Sequence, residues 1–166
     1  IRVETALCDG ELELHYQPKM DARSNHLTGV EALIRWKHPQ LGLRLPGEFL
    51  PMVSESRFEV ELGNWVLATA VAQLDSWCQA GFSTPMSVNI SARHLLHPDF
   101  VAELKSVLKA HPGVDAGLLQ FEVLETAALD DVKRIAAIMA ECNSLGVSFA
   151  IDDFGIGFVA VNSLRS

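Results

Sequence analysis

From Glu11 to Lys19 apolar and polar residues alternate. Leu12, Leu14 and Tyr16 fall on one side and Glu11, Glu13 and His15 on the other, which is the period-2 signature of a strand. Asp21-Ala-Arg-Ser-Asn25 is rich in turn formers, and Leu27 to Trp36 is strand-like again. Two strands with so short a connection predict an antiparallel hairpin. The period then changes. Leu62, Trp65, Val66, Ala70, Leu74 and Trp77 recur at helical spacing, with Gly81 just past the end as a stop. Ser87 to Ile90 reads as a short strand. Phe100, Leu104, Val107 and Leu108 mark a helix closed by His111-Pro112-Gly113, and Leu119 to Leu124 a strand. Val132, Ile135, Met139 and Cys142 mark a further helix, preceded by Asp130 and Asp131 and ended by Gly146, before a strand over Val147 to Ile151.

Strands alternating with helices of this size predict βα units and a parallel sheet, so the fold class is α/β. In a (β/α) barrel, function sits where the strands run out into the βα loops. A complete barrel of this kind takes roughly 250 residues, and the pattern supplies about five strands, so a TIM-like barrel with its last strands absent from residues 1–166 is expected. Ile1 is not an initiator Met, which predicts that the chain is part of a longer protein.

Composition narrows the function classes. Of 166 residues, 49% are hydrophobic, enough for one globular core and too many for a disordered chain. The formal charge of -8 argues against DNA or RNA as a partner, because neutralising phosphates takes clustered Lys and Arg. It leaves room for a small anionic ligand where a metal ion reverses the local sign. The three cysteines, Cys8, Cys78 and Cys142, are odd in number and far apart, which supports neither a disulfide framework nor a zinc site. A reducing, cytoplasmic setting is the expectation. The six histidines form no HxH or HExxH pattern and read as surface or loop residues. Trp65 and Trp77 lie on an apolar helix face and read as core.

Candidate chemistry lies in four apolar runs: Gly29 to Trp36, Met86 to Ser91, Leu118 to Glu125 and Val147 to Gly155. A carboxylate in such a run is costly to bury unless it is paired or metal-bound. Glu31, Leu33 and Arg35 alternate and so share one strand face. A carboxylate and a guanidinium there suit a metal and a phosphate side by side. Asn89 adds a neutral carbonyl oxygen, and Glu122, Asp152 and Asp153 add charged ones. An all-oxygen set suits Mg²⁺ or Mn²⁺ better than zinc. Adjacent Asp152 and Asp153 repel unless a cation lies between them, and two metals a few ångströms apart can drive phosphodiester hydrolysis. Plainer readings fit each residue singly: a strand-end turn at Asp152-Asp153-Phe154-Gly155, a pair between Glu31 and Arg35 or Lys37, and a surface-facing Glu122 on an edge strand.

Taken together, Tyr16-Gln17-Pro18, Glu31-Ala-Leu-Ile-Arg-Trp36, Pro46 with Phe49-Leu-Pro51, Leu62-Gly-Asn-Trp65, Val88-Asn-Ile-Ser91, Glu122-Val-Leu-Glu125 and Asp152-Asp-Phe-Gly155 resemble EAL domains. These are bacterial phosphodiesterases that cut cyclic di-GMP to linear pGpG. The resemblance covers nearly the whole chain and implies one EAL domain over residues 1–166, C-terminally incomplete, in a modified TIM barrel with an antiparallel first strand. It implies Glu31, Asn89, Glu122 and Asp152 as metal ligands, Asp152 bridging two Mg²⁺ or Mn²⁺ ions, with Asp153 helping to bind the second. It implies that Gln17, Leu33 and Arg35 contact the dinucleotide and that Glu125 lies just behind the site. It implies a homodimer, and a fused sensor, receiver or GGDEF domain as a possible neighbour.

Two departures from the family pattern stand out. The family's catalytic Lys, a later metal-binding Glu and a Gln-Gly near the last strand would fall beyond Ser166. The loop from Phe154 to Ser163 carries Ile156, Val159 and Ala160 where the family has Thr and small polar residues. Both departures motivate a rival expectation: a degenerate EAL domain that binds cyclic di-GMP or a protein partner without cutting it. A different metal-dependent barrel enzyme, such as an enolase-like one, is the third reading.

Overall fold

A computed structural model of the protein describes residues 2–54, 56–124 and 129–152. The predicted hairpin is β1 (Leu12–Met20) and β2 (Leu27–His38), paired antiparallel with Tyr16 opposite Ala32. Helix α3 (Arg57–Gln79) follows, then β4 (Met86–Ile90), α5 (Phe100–Ala110), β5 (Leu119–Leu124), α6 (Leu129–Ser144) and β6 (Ser148–Asp152). Strands β2, β4, β5 and β6 pair in parallel, and the sheet order is β1-β2-β4-β5-β6. The fold is therefore α/β with an antiparallel first strand, as the patterning predicts.

The pattern missed the short elements. Helix α1 (Arg2–Cys8), strand β3 (Gly42–Arg44, which pairs with the end of β2), α2 (Pro46–Phe49) and α4 (Ala92–Leu95) are each too brief to show a period. Their apolar residues nonetheless matter. Val3 and Ala6 of α1 and Phe49 of α2 are buried with Leu12, Ile34, Trp36 and Leu62 in a small core at one end of the sheet.

The main core lies between the outer face of the sheet and α3, α5 and α6. Along each strand every second residue enters it: Val30 and Ala32, then Met86, Val88 and Ile90, then Leu119, Phe121 and Val123. Burying such side chains stabilises the fold by about 1.5–3 kcal/mol each. A ladder of edge-to-face rings runs through it, with centroid separations of 5.8 Å for Phe100–Phe121 and 5.4 Å for Phe121–Phe149. Trp77 packs at the margin of this core and Trp65 at the margin of the smaller one. Val132 departs from the expected helix face: it is 50% exposed, and the buried stripe of α6 begins a turn later with Ile135, Met139 and Cys142.

His94 corrects the reading of all six histidines as surface or loop residues. It lies in α4, is 1% exposed, and stacks edge-on against Phe100 with ring centroids 4.9 Å apart. One ring nitrogen, Nε2, meets the Asn64 Oδ1 at 2.7 Å, while the buried Nδ1 has no hydrogen-bond partner. Burial pushes its pKa down to about 4, with the nearby His97 charge adding to the effect. The ring lies directly on Gly63, where an added Cβ would stand 2.3 Å from Nδ1. Glycine in the Leu62-Gly63-Asn64-Trp65 run is thus a packing requirement: α3 approaches α4 through a residue with no side chain.

Gly63→Ala is expected to destabilise the protein by about 1–3 kcal/mol, the usual cost of overpacking a filled core; urea unfolding of the intact protein measures it, and an unchanged midpoint would refute the contact. His94 also sets a pH window. Above the ordinary 6.5 both folded and unfolded imidazoles are neutral, and below it the unfolded chain takes up a proton that the folded chain refuses until about 4. This group's contribution to stability is therefore lost as pH falls through that window, by about 2 kcal/mol at pH 5. His94→Gln should flatten the dependence between about pH 7.5 and 5, whatever its effect at neutral pH.

Candidate active site

Strand register sets the site. Gln17 lies opposite Glu31, Glu31 is in register with Ser87, and Asn89 is in register with Glu122. Residues in register point to the same side of a sheet, and alternation carries that side along each strand. The inner face, turned away from the helices, therefore holds Gln17 and Lys19 of β1 and Glu31, Leu33 and Arg35 of β2. It also holds Ser87 and Asn89 of β4 and Gln120 and Glu122 of β5. The complementary residues of the same strands fill the core described above, which is why the runs of β2, β4 and β5 carry polar groups without breaking it.

Four side-chain hydrogen bonds organise this face. The Asn89 side-chain amide donates from Nδ2 to Glu31 Oε2 at 3.1 Å, joining β4 to β2. Lys19 reaches from β1 across β2 and β4, donating from Nζ to Ser87 Oγ and to Glu122 Oε1, both at 2.9 Å. The Glu122 side chain is 14% exposed and that of Lys19 38%. Ser87, 5% exposed, donates in turn from its hydroxyl to Gln120 Oε1 at 3.2 Å. These contacts decide between the plainer readings. Glu31 is held by Asn89, while Lys37 pairs with Glu13 at 2.8 Å. Glu122 lies on a strand flanked by β4 and β6, so it is neither surface-facing nor at an edge.

Arg35 is four residues beyond Glu31 on the same face, and its guanidinium donates from Nη1 to the Ile34 carbonyl at 2.9 Å. Glu13, opposite Arg35 in register, is taken up by Lys37 and His15, which together hold its carboxyl below the usual range. Leu33 is half-buried between Glu31 and Arg35, and Gln17 is exposed. Asp152 ends β6 in register with Leu124, two positions beyond the Ala150 that pairs with Glu122. The Asp152 side chain, the whole of Asp153 and Glu125, and the loop from Phe154 to Ser163 lie outside the described residues. Among the described residues no three His, Cys, Asp or Glu converge as a metal cluster.

The donors that are described fit a hard cation. Glu31 and Asn89 already approach to hydrogen-bonding distance, Glu122 is the next polar residue across the sheet, and all can offer oxygen. The Asn89 carbonyl oxygen becomes available by rotating the amide, whose nitrogen and oxygen are interchangeable in such networks. The sequence reading overlooked Lys19 and Ser87. Period-2 alternation from Gln17 puts Lys19 on this face, but its reach to β5 is a property of the assembled sheet. A hollow of about 530 Å³ lined by Arg57, Glu61, Arg93, His97, Asp131 and Arg134 lies in the helix layer and shares no residue with this face.

Residues 2–166 match the EAL domain family, and the chain belongs to it. It is 37% identical over 156 residues to MucR of Pseudomonas aeruginosa, named a bifunctional diguanylate cyclase/cyclic di-GMP phosphodiesterase. That match covers 93% of this chain and 23% of MucR. A second Pseudomonas aeruginosa protein, named a cyclic di-GMP phosphodiesterase, is 35% identical over 152 residues, covering 92% of this chain and 26% of its own length. The chain thus spans about a quarter of these relatives. Among solved structures, the MucR phosphodiesterase in complex with c-di-GMP superposes with a TM-score of 0.88 at 36% identity, over 98% of this chain and 66% of that one. The FimX EAL domain from Pseudomonas aeruginosa bound to c-di-GMP superposes at 0.81 with 25% identity, over 98% and 65%. The chain is an EAL-family member, and relatives of that family act in cyclic di-GMP signalling.

Proposed function

We propose that the protein hydrolyses cyclic di-GMP to linear pGpG in a metal-dependent reaction. The observation that carries this reading is the convergence of Glu31, Asn89 and Glu122 on one sheet face, in a chain whose relatives include named cyclic di-GMP phosphodiesterases. Glu31, Asn89 and Glu122 would hold Mg²⁺ or Mn²⁺ together with Asp152 and Asp153. Divalent cations bound there would supply Lewis-acid stabilisation of phosphoryl charge and a more acidic water.

The chain's own residues do the rest. Arg35, on the same face, offers a fixed guanidinium fork to the non-bridging phosphate oxygens, where negative charge grows during in-line attack. Leu33 gives the dinucleotide an apolar surface between Arg35 and the carboxylate Glu31. Gln17 offers amide donors and an acceptor from the antiparallel strand opposite Glu31. By the family resemblance Glu125, next after β5 in the sequence, would support the site. Together they orient one phosphodiester against the acidic face, which is the positioning part of catalysis.

Glu31→Ala and Asp152→Ala should each lower Mn²⁺-dependent pGpG formation by more than about 100-fold, since losing even outer partners of metal ligands costs roughly 10–100-fold. The assay is chromatographic detection of pGpG with the intact protein. Near-normal turnover in either variant would refute the assignment. Wild-type protein that binds cyclic di-GMP yet forms no pGpG in excess Mn²⁺ would instead establish a non-catalytic receptor.

A further inference from the structure

We propose that Lys19 is a positioning residue that fixes the carboxylate of Glu122 for cation binding. The proposal rests on the reading of Glu122 as a metal ligand. Lys19 is opposite Gly29 in the β1–β2 register, so the neighbouring β2 position carries no side chain to obstruct its path. Its ammonium reaches Ser87 Oγ and Glu122 Oε1 at 2.9 Å each. Ser87 is buried and is itself oriented by Gln120, so the lysine head is held by two groups on two strands.

This arrangement has a chemical consequence. One Glu122 oxygen is committed to Lys19, which leaves Oε2 to face a cation. The carboxylate is thereby restrained in orientation, with Oε2 the less occupied of its two oxygens. The ammonium also offsets the charge that Glu31 and Glu122 bring to one sheet face before any cation arrives, so the apo sheet need not splay to separate them. Partners that orient a ligand in this way commonly alter metal affinity by roughly 10–100-fold.

The test is Mn²⁺ titration of the intact protein, read as the fall of the free-ion electron paramagnetic resonance signal, with a thermal melt on every variant. Lys19→Met is expected to weaken Mn²⁺ binding about 10-fold or more. Lys19→Arg, which keeps the charge and the donors, should recover most of the loss. Because the lysine acts through Glu122, Lys19→Met added to Glu122→Gln should weaken binding no further than Glu122→Gln alone. Ser87→Ala leaves both charges in place and removes the lysine's anchor together with its tie to Gln120. It should weaken binding about 10-fold, the low end of the range for partners that orient a ligand, and keeps the proposal testable if Lys19→Met does not fold. Lys19→Met protein that binds Mn²⁺ as tightly as wild type, or more tightly, overturns the positioning role while the metal site stands. Wild-type affinity in Glu122→Gln overturns the ligand assignment itself, and this proposal with it.

Discussion

The inner face of the parallel sheet carries the constraint on which the rest depends. Two carboxylates, Glu31 and Glu122, sit on strands separated only by β4, in a setting where an unpaired charge is costly. The sheet answers with neutral and cationic partners supplied by its own strands: Asn89 for Glu31, and Lys19 for Glu122. Both contacts cross strand boundaries, so they exist only when β1, β2, β4 and β5 are in register. A slip of one residue in any of them would turn its polar set into the helix-packed core and its apolar set onto the inner face. Fold and site are therefore specified by the same alternation.

The outer layer serves the site through the segment that follows Asn89. β4 ends at Ile90, and Ser91 caps the short α4 by accepting from the His94 backbone N–H at 3.1 Å, while its hydroxyl donates to Glu59 of α3 at 3.0 Å. His94 then locks against Gly63 and Asn64. The residues just beyond a metal-ligand candidate are thus tied to the longest helix by capping, a charge-assisted hydrogen bond and close packing. Rigid support of this kind is what a preorganised site requires. It also gives the Leu62-Gly63-Asn64-Trp65 run a physical reason that its composition does not disclose.

Much of this was legible in the chain. Period-2 alternation placed Glu31, Leu33 and Arg35 on one face of β2, and the change to helical spacing located α3, α5 and α6 between strands, because burial on one side writes its period into the sequence. Contiguous pieces such as Glu31-Ala-Leu-Ile-Arg-Trp36 carried the family. Elements α1, β3, α2 and α4 were not legible, since four to seven residues, or three in β3, are too few to establish a period and their burial comes from neighbours distant in sequence. What only the tertiary structure decided is who meets whom. Lys19 and Glu122 are 103 residues apart, His94 and Asn64 30 apart, and nothing in either segment names its partner. Side-chain periodicity fixes a face, which is local information. The partner across that face is set by strand order and stagger, which arise only when the whole sheet assembles.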